Sequence, residues 1–536
     1  MSLSGEVWLV PDADVFRRRN PHSDVRLSGQ KSAEAIVAGR PAKGRTMGGS
    51  GRLKVSRRSD DSRQLRIEDC PGGDRLEAES RAGVLSDAMA TENGQADGQE
   101  VGSTLLEEIL SLTNMVEAYK RVKSNKGAAG VDGMTVEELQ PYMQEHGKAL
   151  KQKILSGEYA PQPVRRVEIP KPSGGVRMLG IPTVVDRLVQ QAMAQKLSPL
   201  FDGTFSNSSY GFRPGRSAAQ AVEQARQYIG DGHKYVVDLD LAKYFDTVNH
   251  DLLMHLVSRK AKDKRVLKLT RAYLNAGMML GGLVSATEEG VPQGGPLSPL
   301  LSNVMLDEFD KELEKRGHRF CRYADDCNIF LRTRKAGQRV MDSAVGFLEG
   351  KLKLKVNREK SAVDLAIRRK FLGFSFYNSK DGVRIRVHPK SMERLKTKLK
   401  DGTGRSNAMS MKTRITRLNQ VIRGWVNYFC IADMKKQLQV VDENLRRRMR
   451  MCLWKQWKRI RTKHRNLVKL GVPEGKAWEH ANTRKSYWRT AGSPILATTL
   501  TNEYFAKLGL QSLSKVYDKA RDSRRTATCR TACVVV

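Results

Sequence analysis

Two acidic pairs interrupt stretches that otherwise have the pattern of buried strands, and they constrain the fold more than any other feature of the sequence. The segment YVVDLDLAKYF (235–245) alternates so that its two aspartates share one strand face. The segment CRYADDCNIF (321–330) places Asp325 and Asp326 side by side between apolar runs. Like charges in such a setting are costly to desolvate unless a cation or water meets them.

The adjacent aspartates have two explanations. One is an exposed hairpin turn, in which Ala-Asp-Asp is ordinary chemistry. The other is a metal site in which Asp238 or Asp240 of the first strand converges with Asp325 and Asp326 of a neighbouring strand. Three carboxylates suit a pair of Mg²⁺ ions, because hard cations prefer oxygen and two ions about 4 Å apart stabilise the attacking and leaving oxygens of a phosphoryl transfer.

The net charge of the chain indicates a polyanionic partner. The 536 residues include 95 Lys and Arg against 58 Asp and Glu, a formal charge of +37. Residues 1–102 contain 16 basic and 16 acidic residues, so the whole excess lies in 103–536. A basic body of this size is typical of nucleic-acid binding, since each neutralised phosphate releases counterions. A ribosomal or structural RNA-binding protein would carry the same charge.

Several classes are disfavoured by composition. No apolar run approaches the length of a membrane span, and VWLV (7–10) is too short for a signal-peptide core, so we expect an intracellular protein without a membrane partner. The seven cysteines are scattered without a CxxC pair or histidines at zinc spacing, which argues against disulfide scaffolds and zinc modules.

The chain divides into an extension and a folded body. Residues 1–102 are rich in Gly, Ser, Arg and Asp without periodicity, and are interpreted as disordered or loosely structured. Apolar residues at helical spacing begin near Leu105 and recur over 184–197. Helices and strands then mix irregularly, unlike a doubly wound fold, until the chain becomes helical and strongly basic after about residue 376.

Taken in order, these segments resemble the reverse transcriptases encoded by group II introns, also called intron maturases. The likeness covers roughly 104–515 and rests on a series of motifs in the family's order. They are RVEIPKPSGGVRMLGIPTVVDRLVQQA (166–192), SSYGFRPGRSAAQAV (208–222), DLDLAKYFDTVNHD (238–251), GVPQGGPLSPLLSNVMLDEFD (290–310), CRYADDCNIF (321–330), LKVNREKSAV (354–363), FLGFSF (371–376), VIRGWVNYF (421–429) and the region 481–513.

The resemblance implies an α/β (α+β) right-hand polymerase fold. Fingers and a palm with an antiparallel sheet would occupy 103–375, and a helical thumb or maturase domain 376–440. A basic helical region that binds DNA or RNA would follow over 441–515, and then a C-terminal tail over 516–536. A histidine- and cysteine-containing endonuclease is absent from the sequence, so the chain is similar to the endonuclease-lacking, class C-like lineage.

The same resemblance assigns the first catalytic carboxylate. The family's aspartate stands six positions before the Asp of a Phe-Asp pair, here 245–246, and this match is Asp240. The backbone carbonyl of Leu241 is implied as a further metal ligand. Asp238, two residues earlier, then supports the site from behind or faces solvent.

Asp325 and Asp326 complete the implied metal set, with Asp325 as the bridging ligand. The implied cofactor is a pair of Mg²⁺ ions, for which Mn²⁺ is a possible substitute. Lys360 matches the lysine proposed as general acid to the departing pyrophosphate. In a lysine-rich sequence, a coincidental match is the alternative for Lys360.

Further residues match the family's nucleotide site. Lys171 and Arg177 correspond to the clamp on the incoming triphosphate, and a point charge beside a planar fork suits phosphate. Phe245 takes the place of the steric gate that favours deoxynucleotides, with core packing as the alternative. Gln293 and Gly294 match a motif bordering nucleotide and template; a turn without function would look similar.

Other basic residues suggest contacts with nucleic acid. Arg213 and Arg216 are candidate template or nucleotide contacts. The segment 445–465 has ten Lys and Arg residues and no acid, which favours RNA contact over a neutral salt-bridged surface. Trp454 and Trp457 within it are expected to be core residues rather than base-stacking platforms.

By resemblance, the chain is an RNA-directed DNA polymerase of the bacterial cytoplasm that also assists splicing. Its implied partners are a structured group II intron RNA, an RNA template with a DNA or RNA primer, target DNA and deoxynucleoside triphosphates. The alternatives are an RNA-binding maturase without polymerase activity, and a domesticated, CRISPR- or defence-associated reverse transcriptase. The oligomeric state, monomer or dimer, is left open.

Overall fold

The computed structural model describes residues 105–170, 176–280, 283–285 and 289–533 of the chain. The extension expected over 1–102 lies outside these residues. No helix of the described part is both long enough and apolar enough to cross a membrane.

The first half of the described chain packs helices around a small sheet. Its elements, in chain order, are α1 Leu105–Ile109, α2 Leu112–Asn125, α3 Leu139–Leu155, β1 Val164–Pro170, β2 Val176–Ile181, α4 Val184–Asp202, α5 Ala218–Gly230, β3 Tyr235–Leu239, α6 His250–Ser258, α7 Lys264–Asn275, β4 Met278–Leu280 and β5 Leu283–Ser285. Strands β1 and β2 form an antiparallel hairpin, and this first sheet has the order β2-β1-β4-β5. It carries the segment predicted to be fingers.

A second sheet follows, which we call the palm sheet. The elements that follow β5 in the chain are α8 Ser298–Lys315, β6 Arg319–Tyr323, β7 Asp326–Leu331, α9 Arg334–Gly350 and β8 Ala362–Leu365. The palm sheet consists of β6, β7 and β8 together with β3. The strand order is β6-β7-β3-β8, and every neighbouring pair is antiparallel. The expectation of an antiparallel palm sheet is therefore confirmed.

Helix α4 shows how local sequence sets the elements that flank the palm sheet. The Thr183 hydroxyl caps it by accepting from the Asp186 backbone N–H. The apolar stripe expected over 184–197 is buried along the helix. The helix predicted there is confirmed, and it continues to Asp202.

The strand expected over 235–245 is shorter than predicted. Strand β3 ends at Leu239, and the chain turns at Lys243, whose backbone is left-handed at φ 49°. A single 3₁₀ turn over Tyr244–Asp246 follows. The sequence pattern extended past the end of the strand because Leu241 is also buried in the core. Its backbone, however, pairs with Val356 in a different segment.

The second half of the chain is mainly helical, as predicted. Its elements are β9 Phe374–Ser379, β10 Gly382–Val387, α10 Pro389–Gly402, α11 Met411–Phe429, α12 Lys435–Gln456, α13 Ile460–Lys469, α14 Glu474–Ala481, α15 Tyr487–Ala491, α16 Pro494–Thr499, α17 Asn502–Lys507 and α18 Leu513–Cys533. Much of the segment set apart as a C-terminal tail thus belongs to α18. Tyr517 anchors that helix, because its ring is buried and its hydroxyl donates to the Ala432 carbonyl at 2.9 Å.

Two large apolar clusters hold the described chain together. One runs from Leu106 to Val356 and packs the helices of the first half of the chain against one face of the palm sheet. The other packs the opposite face against the C-terminal helices. Trp454 is buried in the second cluster and Trp457 packs against it, so their prediction as core residues is confirmed.

Candidate active site

The register of the palm sheet brings the two acidic segments together. Strand β3 pairs with β7 so that Leu239 lies opposite Cys327 and Asp238 opposite Asn328. Continuing that register by one residue sets Asp240 opposite Asp326. The predicted neighbourhood of the two acidic motifs therefore follows from main-chain pairing.

The turn that carries the adjacent aspartates is tight. Tyr323 pairs with Asp326, which leaves Ala324 and Asp325 as a two-residue hairpin loop between β6 and β7. Ala324 is left-handed at φ 57°, a conformation that L-residues adopt only at a cost. The segment is therefore a hairpin turn, as one of its two explanations predicted. The raised pKa of Asp326 indicates that the turn is not simply a solvated loop.

Asp326 experiences strong repulsion. Desolvation by the surrounding protein, followed by repulsion from Asp325, Asp238 and Asp240, raises the pKa of Asp326 to about 7. Its side chain nevertheless keeps an open path to solvent, so an ion from solution can reach it. Lys370, just before the FLGFSF motif, partly opposes the shift in this pKa and was not singled out from the sequence.

Asp240 has an unsatisfied oxygen. Its Oδ2 atom is buried and accepts no hydrogen bond from the described residues. The Lys360 Nζ atom lies 3.1 Å from that oxygen, an ion pair without hydrogen-bond geometry, on a side chain that is 67% exposed. The backbone of Asp240 is fixed, since its N–H donates to Ser361 Oγ and its carbonyl accepts from the Asn357 N–H.

Asp238 is already neutralised by the protein. Arg369 donates to its Oδ2 atom from Nη2 at 2.6 Å and from Nε at 3.0 Å. Burial raises the pKa of Asp238, although Arg369 acts against this. Arg369 also donates to the Lys360 carbonyl, so it links Asp238 to the loop that carries Lys360. Sequence reasoning missed Arg369, which stands 131 residues from Asp238.

The fit of a divalent cation can be tested on these contacts. Within the described residues, no group of three or more His, Cys, Asp or Glu side chains that could hold a metal ion is found, so the protein alone forms no metal cage there. Mg²⁺ usually needs no such cage, because it binds one or two carboxylates together with water and substrate phosphates. The unsatisfied Asp240 oxygen and the mutual repulsion at Asp326 both call for positive charge. The residues therefore fit the cation.

The PQGG segment connects the first sheet to the cleft. The Gln293 carbonyl accepts from the Gly180 N–H of β2 at 2.8 Å. The N–H of Val291, just before PQGG, donates to the Phe245 carbonyl at 2.7 Å. Gly294 has φ 134°, and a Cβ there would lie 2.3 Å from the Gly180 carbonyl oxygen. This position requires glycine because the two backbones approach so closely.

The residues predicted to bind the nucleotide differ in burial, and some lie outside the described part of the chain. Phe245 is partly buried, packs against the first cluster and meets Tyr244 edge to face, so it performs the core packing that was its alternative role. Leu241 buries its side chain, which leaves only its backbone for the cleft. Lys171 lies outside the described residues. Arg177 belongs to β2, and its side chain is likewise outside them.

Arg213 corrects an expectation. Its side chain is 5% exposed and donates to Asp202 Oδ1 at 2.6 Å. Its other donors go to the carbonyls of Ser206, Ser209 and Asp202. The guanidinium is thus committed to structure and is not presented to a nucleotide. The cause is long-range packing, which no local pattern reveals.

Arg216 is more accessible than Arg213. It is half-buried, donates to Asn207 and lies over the Tyr210 ring with its guanidinium carbon 5.8 Å from the ring centroid. Phe212, the residue just before Arg213, is 43% exposed and has φ 57°, and its ring lies beside the Tyr323 ring.

The basic C-terminal segment divides into two functional parts. Some arginines stabilise the fold: Arg448 donates to Thr403, Arg450 to the Leu500 carbonyl, and Arg447 stacks on Trp488 at 4.2 Å. Five other basic residues form an exposed cationic surface on α12, α13 and the turn between them. Its members are Lys455, Lys458, Arg459, Arg461 and Arg465.

Comparison with known proteins agrees with this geometry. The model of "Reverse transcriptase (RNA-dependent DNA polymerase)" matches residues 169–376, and that of "Group II intron, maturase-specific domain" matches 392–471. The fold and site thus define a right-hand nucleic-acid polymerase with an RNA-directed DNA polymerase domain. The chain belongs to the group II intron reverse transcriptase and maturase family.

Three relatives illustrate the extent of this likeness. Protein YkfC of Escherichia coli is 37% identical over 46% of this chain and 76% of its own length. The group II intron-encoded protein LtrA of Lactococcus lactis is 36% identical, over 41% of this chain and 37% of its own. A putative COX1/OXI3 intron 2 protein of Saccharomyces cerevisiae is 32% identical, over 42% of this chain and 26% of its own. The chain thus spans well under half of the latter two proteins.

A likeness among solved structures is too weak to inform either fold or function. A partial Cas6-RT-Cas1–Cas2 complex has a TM-score of 0.31 and 23% identity, over 49% of this chain and 46% of that one. It gives no support to the CRISPR-associated alternative.

Proposed function

We propose that Asp240, Asp325 and Asp326 bind two Mg²⁺ ions, or Mn²⁺ as a substitute, for the nucleotidyl transfer that this polymerase performs. The observation that carries the proposal is a concentration of negative charge that the described protein compensates only in part: the buried Asp240 oxygen has an ion pair with the exposed Lys360 but no hydrogen bond, and the pKa of Asp326 is raised. When bound, the cations supply Lewis-acid activation and neutralise charge on the attacking and leaving oxygens. The Leu241 carbonyl is proposed as a further ligand.

Lys360 is proposed to protonate the departing pyrophosphate. Its ammonium is exposed and lies 3.1 Å from Asp240, so it stands at the edge of the cleft while holding a proton at Nζ. The Arg369 contact to the Lys360 carbonyl restrains the backbone of that loop. A cation bound at Asp240 would displace the lysine from the carboxylate and leave its proton available.

The substrate is proposed to lie between the PQGG segment and the palm turn. Phe245 would limit space at the sugar 2′ position, with Gln293 and Gly294 beside the nucleotide. Lys171 and Arg177 are proposed to hold the triphosphate. The template is RNA, and the primer is DNA or RNA.

The experiment that tests the metal proposal is primer extension on an RNA template with deoxynucleotides and Mg²⁺. Asp325→Ala combined with Asp326→Ala is expected to abolish extension, while the wild type extends. A matched control removes two exposed carboxylates elsewhere, Asp251→Ala with Asp381→Ala, and should extend like the wild type. Extension by the Asp325 and Asp326 variant at the wild-type rate would refute the assignment.

We also propose that the chain binds its own structured intron RNA and target DNA. The maturase-specific domain match over 392–471 and the exposed cations of α12 and α13 support this proposal. Intron RNA splicing should survive the loss of Asp325 and Asp326, because RNA binding does not need the metal cluster. Replacing Lys458, Arg459 and Arg461 by Gln should weaken RNA binding and lower its salt dependence. If the replacement leaves both unchanged, the intron RNA must bind elsewhere.

A further inference from the structure

A buried ion pair lies directly beneath the turn that carries the adjacent aspartates. Arg322 is 1% exposed and Asp310 of α8 is 0% exposed. The guanidinium meets the carboxylate through Nε at 2.7 and 2.9 Å and through Nη2 at 2.5 Å. Buried ion pairs are frequently no more stabilising than apolar residues of the same volume, so stability alone does not account for this one.

The remaining donors of Arg322 point to the turn and its supports. Nη1 donates to the Ala324 carbonyl at 2.9 Å and to Asn303 Oδ1 at 3.0 Å, and Nη2 donates to Ser209 Oγ at 2.8 Å. Asn303 in turn donates to the Gly211 carbonyl at 2.8 Å. One buried side chain therefore joins helix α8, the segment 208–211 and the hairpin.

The carbonyl that Arg322 holds belongs to the strained residue of the turn. Ala324 is the left-handed residue at φ 57°, and its carbonyl is part of the peptide unit that continues into Asp325. The orientation of that peptide fixes the direction in which the Asp325 side chain leaves the chain. Strained backbone persists only where the surroundings enforce it, and Arg322 is placed to do so.

We propose that Arg322 is a positioning residue for the metal site: with Asp310 and Asn303, it holds Ala324 in the left-handed conformation and thereby sets Asp325 and Asp326 to bind divalent cations. The inference rests on the proposed function, because it presumes that these aspartates are the ligands. It goes beyond that function because it states that metal affinity also depends on residues that touch neither the metal nor the substrate.

The test replaces the ion pair by apolar residues of similar volume. In the full-length chain, Arg322→Met with Asp310→Leu removes both charges together, so no buried charge is left unpaired. We expect the thermal midpoint to fall only modestly, because the charges leave together while Asn303 Oδ1, Ser209 Oγ and the Ala324 carbonyl lose their donor. The affinity for Mn²⁺, measured by electron paramagnetic resonance without nucleic acid, should fall about 10- to 100-fold, as when outer partners of metal ligands are lost. The Mg²⁺ concentration that half-saturates primer extension should rise in parallel.

Rescue separates positioning from a general structural role. Glycine adopts positive φ without strain, so adding Ala324→Gly to the double variant should recover Mn²⁺ affinity several-fold. If the double variant does not fold, Asn303→Leu provides the same comparison, because it removes one support of the turn and leaves the ion pair. Arg414→Met is the control, since Arg414 is a buried arginine that bonds the carbonyls of Gly402 and Gly404.

The outcomes distinguish this inference from the proposed function. Reduced affinity that Ala324→Gly restores would support the positioning role. Unchanged affinity in the double variant, or a loss that Ala324→Gly leaves untouched, would overturn it. Asp325→Ala with Asp326→Ala is measured in parallel. If that variant loses Mn²⁺ binding while the Arg322 variant keeps it, only the positioning role fails. If it keeps Mn²⁺ binding, both proposals fail.

Discussion

Two charged clusters meet at the β6–β7 hairpin, and they differ in how their acidic charge is balanced. Below the turn, Arg322 and Asp310 are fully buried and neutralise each other at hydrogen-bond distance. Facing the cleft, Asp326 is open to solvent, and its pKa is raised by desolvation and by neighbouring carboxylates. The chain had the means to neutralise acids here, as Arg369 does for Asp238. The cluster facing the cleft is therefore specialised for a charge supplied from outside.

The largest expected effect comes from removing one carboxylate of the open cluster. Asp240→Asn preserves volume and should reduce primer extension about 10³-fold, equivalent to about 4 kcal/mol of lost transition-state stabilisation. Stability should be unchanged or slightly higher, because Asp240 raises the pKa values of Asp238 and Asp326 by repulsion. Steady-state extension kinetics and a thermal melt check both parts.

Asp238→Asn is the matched comparison for that variant. It removes a carboxylate that Arg369 already neutralises, so extension should fall far less than in Asp240→Asn. Equal losses in the two variants would contradict the distinction between the metal ligand and the paired aspartate.

The next largest effect on activity is expected at the close contact between Gly211 and the turn at Ala324. A Cβ added at Gly211 would lie 2.3 Å from the Ala324 backbone nitrogen, too close for either backbone to remain in place. Gly211→Ala should therefore displace the catalytic turn and lower extension about 10²-fold, as small misplacements in active sites do. Gly346→Ala is the control, since a Cβ there meets no atom within 4 Å and should add about 0.5–1 kcal/mol to helix α9. Extension by Gly211→Ala at the wild-type rate would show that the turn tolerates the shift.

A smaller effect on activity tests the reinterpretation of Arg213. Arg213→Ala leaves the Asp202 carboxylate and three carbonyls without their buried donor, and should lower the free energy of unfolding by about 2–4 kcal/mol. The KM for deoxynucleotides should stay near the wild-type value when measured well below the melting temperature. A raised KM in a stable variant would instead support the original prediction of a nucleotide contact.

The family resemblance predicted the fold class, whereas local patterns in the sequence predicted that the two acidic motifs meet. Strand periodicity placed Asp238 and Asp240 on one face, and antiparallel pairing of neighbouring strands brought that face to Asp326. The family resemblance supplied what the pattern left open, namely the choice of Asp240 over Asp238. Asp238 has two hydrogen bonds from Arg369, whereas Asp240 has an ion pair with the exposed Lys360, and the choice between them stays a prediction.

What the sequence could not predict depends on burial between distant segments. Arg213 and Arg216 look alike in SYGFRPGRS, yet only Arg213 is enclosed by the residues around Asp202. Arg322 and Asp310 belong to different motifs, and neither motif indicates that the two side chains form a buried pair. Partner choice at this range is set by packing of α8 against the hairpin, which local periodicity does not encode.

The smallest expected effect is the pH dependence of stability in metal-free protein, in EDTA. The pKa of Asp326 is raised in the folded chain from a usual 3.8 to about 7. Below about pH 4 both states are protonated and the carboxyl contributes nothing. Between about pH 4 and 7 the folded state binds more protons than the unfolded state, so the free energy of unfolding falls as pH rises. Above about pH 7 both states are ionised and the repulsion is complete.

Asp326→Asn lacks this titration and isolates it. The variant should gain more in denaturation midpoint over the wild type at pH 8 than at pH 5, by a modest amount because the exposed carboxyl is screened by solvent. Excess Mg²⁺ should shrink the difference at pH 8, since the cation stabilises the ionised carboxylates of the wild type. A larger gain for Asp326→Asn at pH 5 would mean that the open cluster is neutralised by the protein itself, like the buried one.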